Sequence, residues 1–331
     1  MTTLVTGGAG YIGSHTVRQL VNAGRDVVVF DSLELGHREA LLGTELVVGN
    51  IANQDLITSV CKKYGITEVI HFAAYKSVGE SMNNPGRYFS NNVTGSMLLV
   101  EALAHAGVDK IVFSSSASVY GTPAEVPVRE DAPLHPESVY AETKYMTERM
   151  LHWFSETHGM RSVSLRYFNA AGDSFDSLIG EDWSVTTNLV PVVMKATLGK
   201  RDALEVFGND YPTRDGTAIR DYIHVVDLAE AHAIALERLL NRTSEEPVEV
   251  FNLGTGTGST VLEVIQSFER STGATLPWNF APRRPGDVVA AYADTAKAER
   301  ILGWKTKRTL DEAMADAWRW QQHVLNSTSS I

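Results

Sequence analysis

The chain has 331 residues, 44% of them hydrophobic and 21% charged, with a formal net charge of −11. That length is enough for one large α/β unit, or for a main domain with a smaller lobe, and the composition carries no sign of disorder. The acidic balance excludes the basic footprint a nucleic-acid partner demands, although a local basic site for a small anion remains compatible with it.

Cys61 is the only cysteine, so no intrachain disulfide forms and a reducing compartment is expected. The opening "MTTLVTGG" has no basic or extended apolar leader, and no run approaches the ~20 apolar residues that span a bilayer. The expectation is a cytoplasmic protein with no membrane segment.

Along the first half, short β-branched runs alternate with amphipathic segments. Strands are predicted at 3–6, 26–31, 46–49, 68–72, 110–114 and 162–167, and helices at 11–22, 54–64, 91–106 and 140–158. This alternation predicts a doubly wound parallel α/β sheet of the Rossmann type, whose ligands sit at the carboxyl ends of the strands. Beyond about Phe168 the rhythm loosens, although 226–241, 248–253, 260–272 and 310–324 still look regular. A Rossmann domain over 1–168, with later elements drawn from about 222–255, and a smaller interwoven α/β substrate lobe over 169–331 are expected. The tail 326–331 is expected to fray.

"LVTGGAGYIGSH" places Gly7, Gly10 and Gly13 between the first strand and the first helix. Glycines there permit a tight turn and close backbone approach, so that a pyrophosphate can rest on the helix N-terminus. A tight turn without a ligand is the bland alternative. The second strand decides against it by ending in Asp31, where a carboxylate accepts both adenosine ribose hydroxyls and repels a 2′-phosphate. NAD is therefore the expected cofactor, with His37 and Arg38 the nearby bases that would argue for NADP.

"SVYAETK" sets Tyr140 and Lys144 four residues apart, on one face of a helix. A phenol titrates near ~10, so acting as a base near pH 7 takes about three units, on the order of 4 kcal/mol. A lysine ammonium and an oxidised nicotinamide can together supply that. YxxxK alone is a common spacing on exposed helices. Its context lifts it: the strand "KIVFS" runs directly into serines, and Ser116 falls where cofactor and tyrosine would meet.

With these motifs the chain resembles the extended short-chain dehydrogenase/reductases, and among them the UDP-glucose 4-epimerases. The likeness runs through "VTGGAGYIGSH", "HFAAYKSVGES", "FSSSASVYG", "YAETK", "LRYFNAAG", "GED", "NLVP", "VFGNDYPTRDGTAIRDYIHVVDLA" and "APRRPGD". It implies Tyr140 as catalytic base, Ser116 as its hydrogen-bonding partner, and Lys144 as the group that holds the nicotinamide ribose and lowers the tyrosine pKa. Around NAD it implies Gly7, Gly10, Tyr11, Ile12, Gly13, Asp31, Asn50, Ile51, Phe72, Ala73, Lys76, Asn91, Ser114 and Tyr167. For the UDP-sugar it implies Lys76, Phe168, Asn169, Asn188, Leu189, Val206, Phe207, Arg220, Tyr222, Arg284, Asp287 and Ala291. Two arginines from separate loops also suit a buried diphosphate on chemical grounds.

Four positions depart from the family pattern. Asn50 replaces an aspartate beside the adenine, Thr187 stands where asparagine is common, and Val139 and Ala141 replace the proline and glycine that usually flank the tyrosine. Ala291 is a small residue where relatives carry either a tyrosine or a small one, which implies room for an N-acetylated sugar.

Sibling dehydratases and decarboxylases place acidic residues just before their VYG, where this chain has Ala117 and Ser118. A 4-epimerase of UDP-xylose/UDP-arabinose and a catalytically silent NAD-sensing protein are the remaining alternatives; the second is disfavoured because Ser116, Tyr140 and Lys144 are all present. No HxH or HExxH pairing marks a metal site, and His71 reads as a packed core residue. The helices at 91–106 and 140–158 match those that relatives pair into a dimer, so a homodimer is implied.

Overall fold

The computed structural model describes residues 1–183, 188–244, 246–284 and 286–328. Thr187 and residues 329–331 lie outside the described residues. Seven parallel strands form the main sheet, in the order Val248–Leu253, Arg161–Tyr167, Lys110–Ser114, Ile66–His71, Thr2–Thr6, Asp26–Asp31, Glu45–Val48. Successive side chains on a strand point to opposite faces, and both faces here are apolar. Leu4, Val28, Val69 and Ile111 pack on one side with Ile57, Leu103 and Leu151 of the covering helices. Val5, Val29, Ile70 and Val112 pack on the other with Val17, Leu20, Leu228 and Leu236. The continuous β-branched runs are thus the signature of strands buried from both sides.

The chain builds outward from Thr2–Thr6 in one direction, then returns to place Ile66–His71 on its other flank. That reversal opens a crevice at the carboxyl ends of these two strands. Gly7 sits there at φ +71, and a β-carbon on it would lie 2.5 Å from the Ala73 nitrogen. The glycine turn therefore lies flush against the chain that leaves the fourth strand.

Beyond Tyr167 a second apolar cluster of Trp183, Val193, Val206, Tyr222, Phe268 and Met314 supports short strands and the helices Leu189–Thr197, Val261–Thr272 and Leu310–Thr328. Val248–Leu253 joins the main sheet, and Val225–Leu240 packs on its face against Tyr11–Asn22.

Most boundaries agree with the sequence pattern within two residues. The third strand ends at Val48 rather than 49, and Gly49 leaves it where a β-carbon would press on Leu56 and Phe30 at 2.6 Å. The helix expected at 91–106 is instead Pro85–Tyr88, a π-helical turn Phe89–Gly95, and Ser96–His105. Within the wide turn Asn92 clamps Tyr75, accepting its N–H at 2.9 Å and donating to its carbonyl at 3.0 Å. The last helix runs to Thr328, so the tail is helical through that residue.

Candidate active site

Two cavities meet in the crevice. The first is lined by Gly7, Gly10, Tyr11, Ile12, Gly13, Asp31, Asn50, Ile51, Phe72, Ala73, Lys76, Asn91, Ser114, Tyr140, Lys144 and Tyr167, all residues the sequence assigned to cofactor. The helix Tyr11–Asn22 begins there at Gly10, with no side chain capping it and no acidic residue in its first turn. Its free N–H groups and positive dipole end suit a pyrophosphate. Asp31 closes the far end; its Oδ2 accepts the Ala9 N–H and its Oδ1 the Leu33 N–H, both at 2.9 Å. These bonds fix the carboxylate and leave lone pairs for ribose hydroxyls. His37 lines the cavity too, but its Nε2 lies 2.9 Å from Asp182 Oδ2, and Arg38 lies off the wall. Of the two bases the sequence flagged, one is thus paired with an acid and the other lies off the wall, and the donor set fits NAD.

Asn50 lines the cofactor cavity as expected. Its Oδ1 already accepts the Ala52 N–H at 2.9 Å, so one of its two acceptor sites is spent on its own turn.

Ser138 caps the helix Val139–His158 by accepting the Ala141 N–H at 3.2 Å, which aims Tyr140 and Lys144 into the crevice. Tyr140 lines both cavities. Burial raises its phenol above the ordinary value, opposed by the neighbouring Ser116 hydroxyl. Lys144 Nζ donates to the Ser114 carbonyl at 2.8 Å and sits 5.8 Å from the Tyr140 ring centre. Burial pulls its pKa down to about 7, against the Glu148 carboxylate one turn further on. Burial thus opposes the charged form of both residues, while the Ser116 hydroxyl acts on the phenol in the lowering direction. Tyr167, bonded through its hydroxyl to Ser114 Oγ at 2.7 Å, is raised by burial and by Tyr140.

The second cavity is lined by Lys76, Ser116, Ala117, Ser118, Tyr140, Phe168, Asn169, Asn188, Arg220 and Ala291, among others. Ala291 pairs in register with Arg220 on adjacent short strands. Not every residue assigned to substrate reaches this wall. Val206 and Tyr222 are buried in the apolar cluster of the second lobe and Leu189 packs against it. Strand alternation turns Val206 inward, away from any ligand. Asp287 lies between two guanidiniums, paired with Arg220 and, at 3.2 Å, with Arg284, whose guanidinium stacks over the Phe207 ring. These three flank the cavity through Arg220 rather than lining it.

Glu181 is the residue that sequence reasoning missed. It is buried, lines both cavities and accepts from Lys76 Nζ at 3.1 Å, while its own N–H is held by Asp173 Oδ1 at 2.7 Å. Its only signal was its place in "GED". His71 is a buried residue stacked on Phe113, its ring between Thr6 and Ser96 hydroxyls.

A bare glycine turn at the switch point of a parallel sheet, facing a Tyr–Lys helix, defines an NAD-dependent enzyme of the short-chain dehydrogenase/reductase class. Residues 4–317 match the family described as GDP-mannose 4,6 dehydratase. The chain is 48% identical to the UDP-glucose 4-epimerase of Bacillus subtilis, over 100% of this chain and 99% of that one. Among solved structures, the UDP-glucose 4-epimerase of Stenotrophomonas maltophila with bound NAD and formylated UDP-arabinopyranose superposes with a TM-score of 0.95, at 41% identity and 99% coverage of both chains. The UDP-Glc/GlcNAc 4-epimerase of Campylobacter jejuni gives 0.86 at 34% identity, over 97% of this chain and 99% of that one. The chain belongs to the UDP-glucose 4-epimerase family.

Proposed function

We propose that this enzyme interconverts UDP-glucose and UDP-galactose, with Tyr140 as the base and NAD retained as a prosthetic group. The observation that carries this reading is the position of Tyr140 and Lys76, shared by the cofactor cavity and the sugar cavity. NAD held by the residues of the first cavity would supply a reversible hydride acceptor for C4′.

Tyr140 takes the proton of the 4′-hydroxyl, and Ser116 steadies the reacting oxygens. Lys144, anchored on the Ser114 carbonyl, orients the ribose end of the cofactor. Arg220 and Arg284, with Asp287 orienting them from between, hold the nucleotide diphosphate end, so the 4-keto sugar can turn while the UDP stays fixed. Tyr140 then returns its proton to the inverted oxygen. No redox change remains at the end of a cycle, so NAD need not leave. Ala117 and Ser118 stand where the sibling dehydratases carry their acidic residues, which speaks against elimination of water.

Incubating the purified protein with UDP-galactose and no added NAD is expected to yield UDP-glucose. No conversion, even with NAD supplied, would overturn the reading.

Ala291 favours a wider sugar range, since a methyl group beside Arg220 leaves space for an acetamido substituent. UDP-GalNAc is expected to be turned over as well. Ala291→Tyr is expected to remove that activity while leaving at least about a tenth of the galactose rate, since the steric loss falls only on the larger sugar. Equal loss on both substrates would show that Ala291 does not set the range.

The same reading includes a homodimer in the cytoplasm. Exposed Met97, Met146 and Trp153, the last 59% exposed, lie on the helices Ser96–His105 and Val139–His158. Large apolar side chains left exposed on these two helices are what an association face would cover.

A further inference from the structure

Resting on the assignment of Ser116 above, we infer that Ser118 is a positioning residue that makes Ser116 a donor only, so that the sugar proton passes directly to Tyr140. A serine hydroxyl has one hydrogen and two acceptor sites. Ser116 Oγ accepts the Ser118 N–H at 3.2 Å and the Ser118 hydroxyl at 2.9 Å. Both acceptor sites are therefore filled from within the turn Ala117–Tyr120, which Ser116 caps in an extended conformation.

The turn itself is held. The Gly121 N–H bonds the Ser118 carbonyl at 3.1 Å, the His135 N–H bonds the Val119 carbonyl at 3.0 Å, and the Tyr120 hydroxyl reaches Asn252 Oδ1 at 2.7 Å. What remains to Ser116 is its hydrogen, on the side of the cavity it shares with Tyr140. The lowering influence of Ser116 on the phenol agrees with donation in that direction.

This geometry separates two routes for the proton. In a relay, Ser116 would accept the proton of the 4′-hydroxyl while passing its own to Tyr140, which requires an open acceptor site. With both sites filled, Ser116 donates to the reacting oxygens, and the O4′–H bond breaks as the new O–H bond forms on Tyr140 itself. Ser118 touches no reacting atom in this scheme; it acts by holding Ser116.

A double-mutant cycle on the NAD-loaded enzyme tests this, with kcat and KM for UDP-galactose measured in wild type, Ser118→Ala, Ser116→Ala and the double variant. Losing one hydroxyl donor is expected to lower kcat of Ser118→Ala about fivefold, with KM within about twofold of wild type. Ser118→Thr, which keeps the hydroxyl, is expected to restore the rate. In the Ser116→Ala background, Ser118→Ala is expected to change nothing, because no hydroxyl remains to orient. An equal loss in both backgrounds, or no loss in either, overturns the role of Ser118. Full turnover in Ser116→Ala overturns the assignment of Ser116 itself, whereas an impaired Ser116→Ala without coupling removes only Ser118.

Discussion

Tyr140→Phe is expected to lower kcat about a thousandfold, within the range that one positioned general base contributes, while the protein still purifies with NAD. The cofactor should stay because Tyr140 is one group on a wall whose anchoring features lie elsewhere, at the uncapped helix start and at Asp31. Two other phenols line both cavities: the Tyr11 hydroxyl is spent on the Gly172 carbonyl, and Tyr167 is a poor substitute. Burial raises Tyr167, and a charge on Tyr140 would raise it further. Cofactor content by absorbance and turnover by coupled assay read the two halves separately. Retention of more than about a tenth of wild-type turnover would mean that another group takes the proton. Loss of NAD with loss of turnover would place Tyr140 in cofactor retention instead.

The contrast between the two cavities shows what a sequence exposes. Cofactor residues follow local rules: glycines at a strand–helix turn, an acid at a strand end, a Tyr–Lys pair at helical spacing. Each depends on neighbours a few positions away, and each lines the first cavity. The Ser138 cap that starts the tyrosine helix was equally local.

The second cavity is assembled from distant segments, and the expectations there are uneven. Val206 and Phe207 are adjacent in sequence, yet strand alternation sends Val206 into the core and leaves Phe207 beneath Arg284. Lys76 and Glu181 are 105 positions apart, so no spacing rule links them. The π turn Phe89–Gly95 was hidden for a related reason. The widening goes with a contact between Asn92 and Tyr75, 17 positions earlier. The electrostatics were hidden as well. Helical spacing places Tyr140 and Lys144 on one face, but how strongly burial opposes charge on each is set by elements distant in sequence.

Behind the catalytic turn lies a buried ion pair whose disruption is expected to cause the largest stability loss in the protein. Arg166 on the strand Arg161–Tyr167 meets Glu148 on the tyrosine helix through two bonds, Nε to Oε1 at 3.0 Å and Nη2 to Oε2 at 2.6 Å. Neither side chain is more than 8% exposed. Ser115 donates to the same carboxylate at 2.5 Å, and Arg166 Nη1 donates to the Tyr120 hydroxyl at 2.9 Å. One network thus ties the helix that carries Tyr140 to both ends of the segment that carries Ser116. Glu148→Leu is expected to cost about 3–5 kcal/mol, because it strands the guanidinium in a site that water does not reach. Adding Arg166→Met removes that charge and is expected to recover most of the loss, since a buried pair exchanged for apolar groups of similar size is often close to neutral. Denaturant unfolding of the two variants beside wild type measures both steps. If the double variant proves as unstable as Glu148→Leu alone, the penalty does not come from the unpaired arginine. It would then lie with the Ser115 and Tyr120 hydroxyls, whose partners the two substitutions remove.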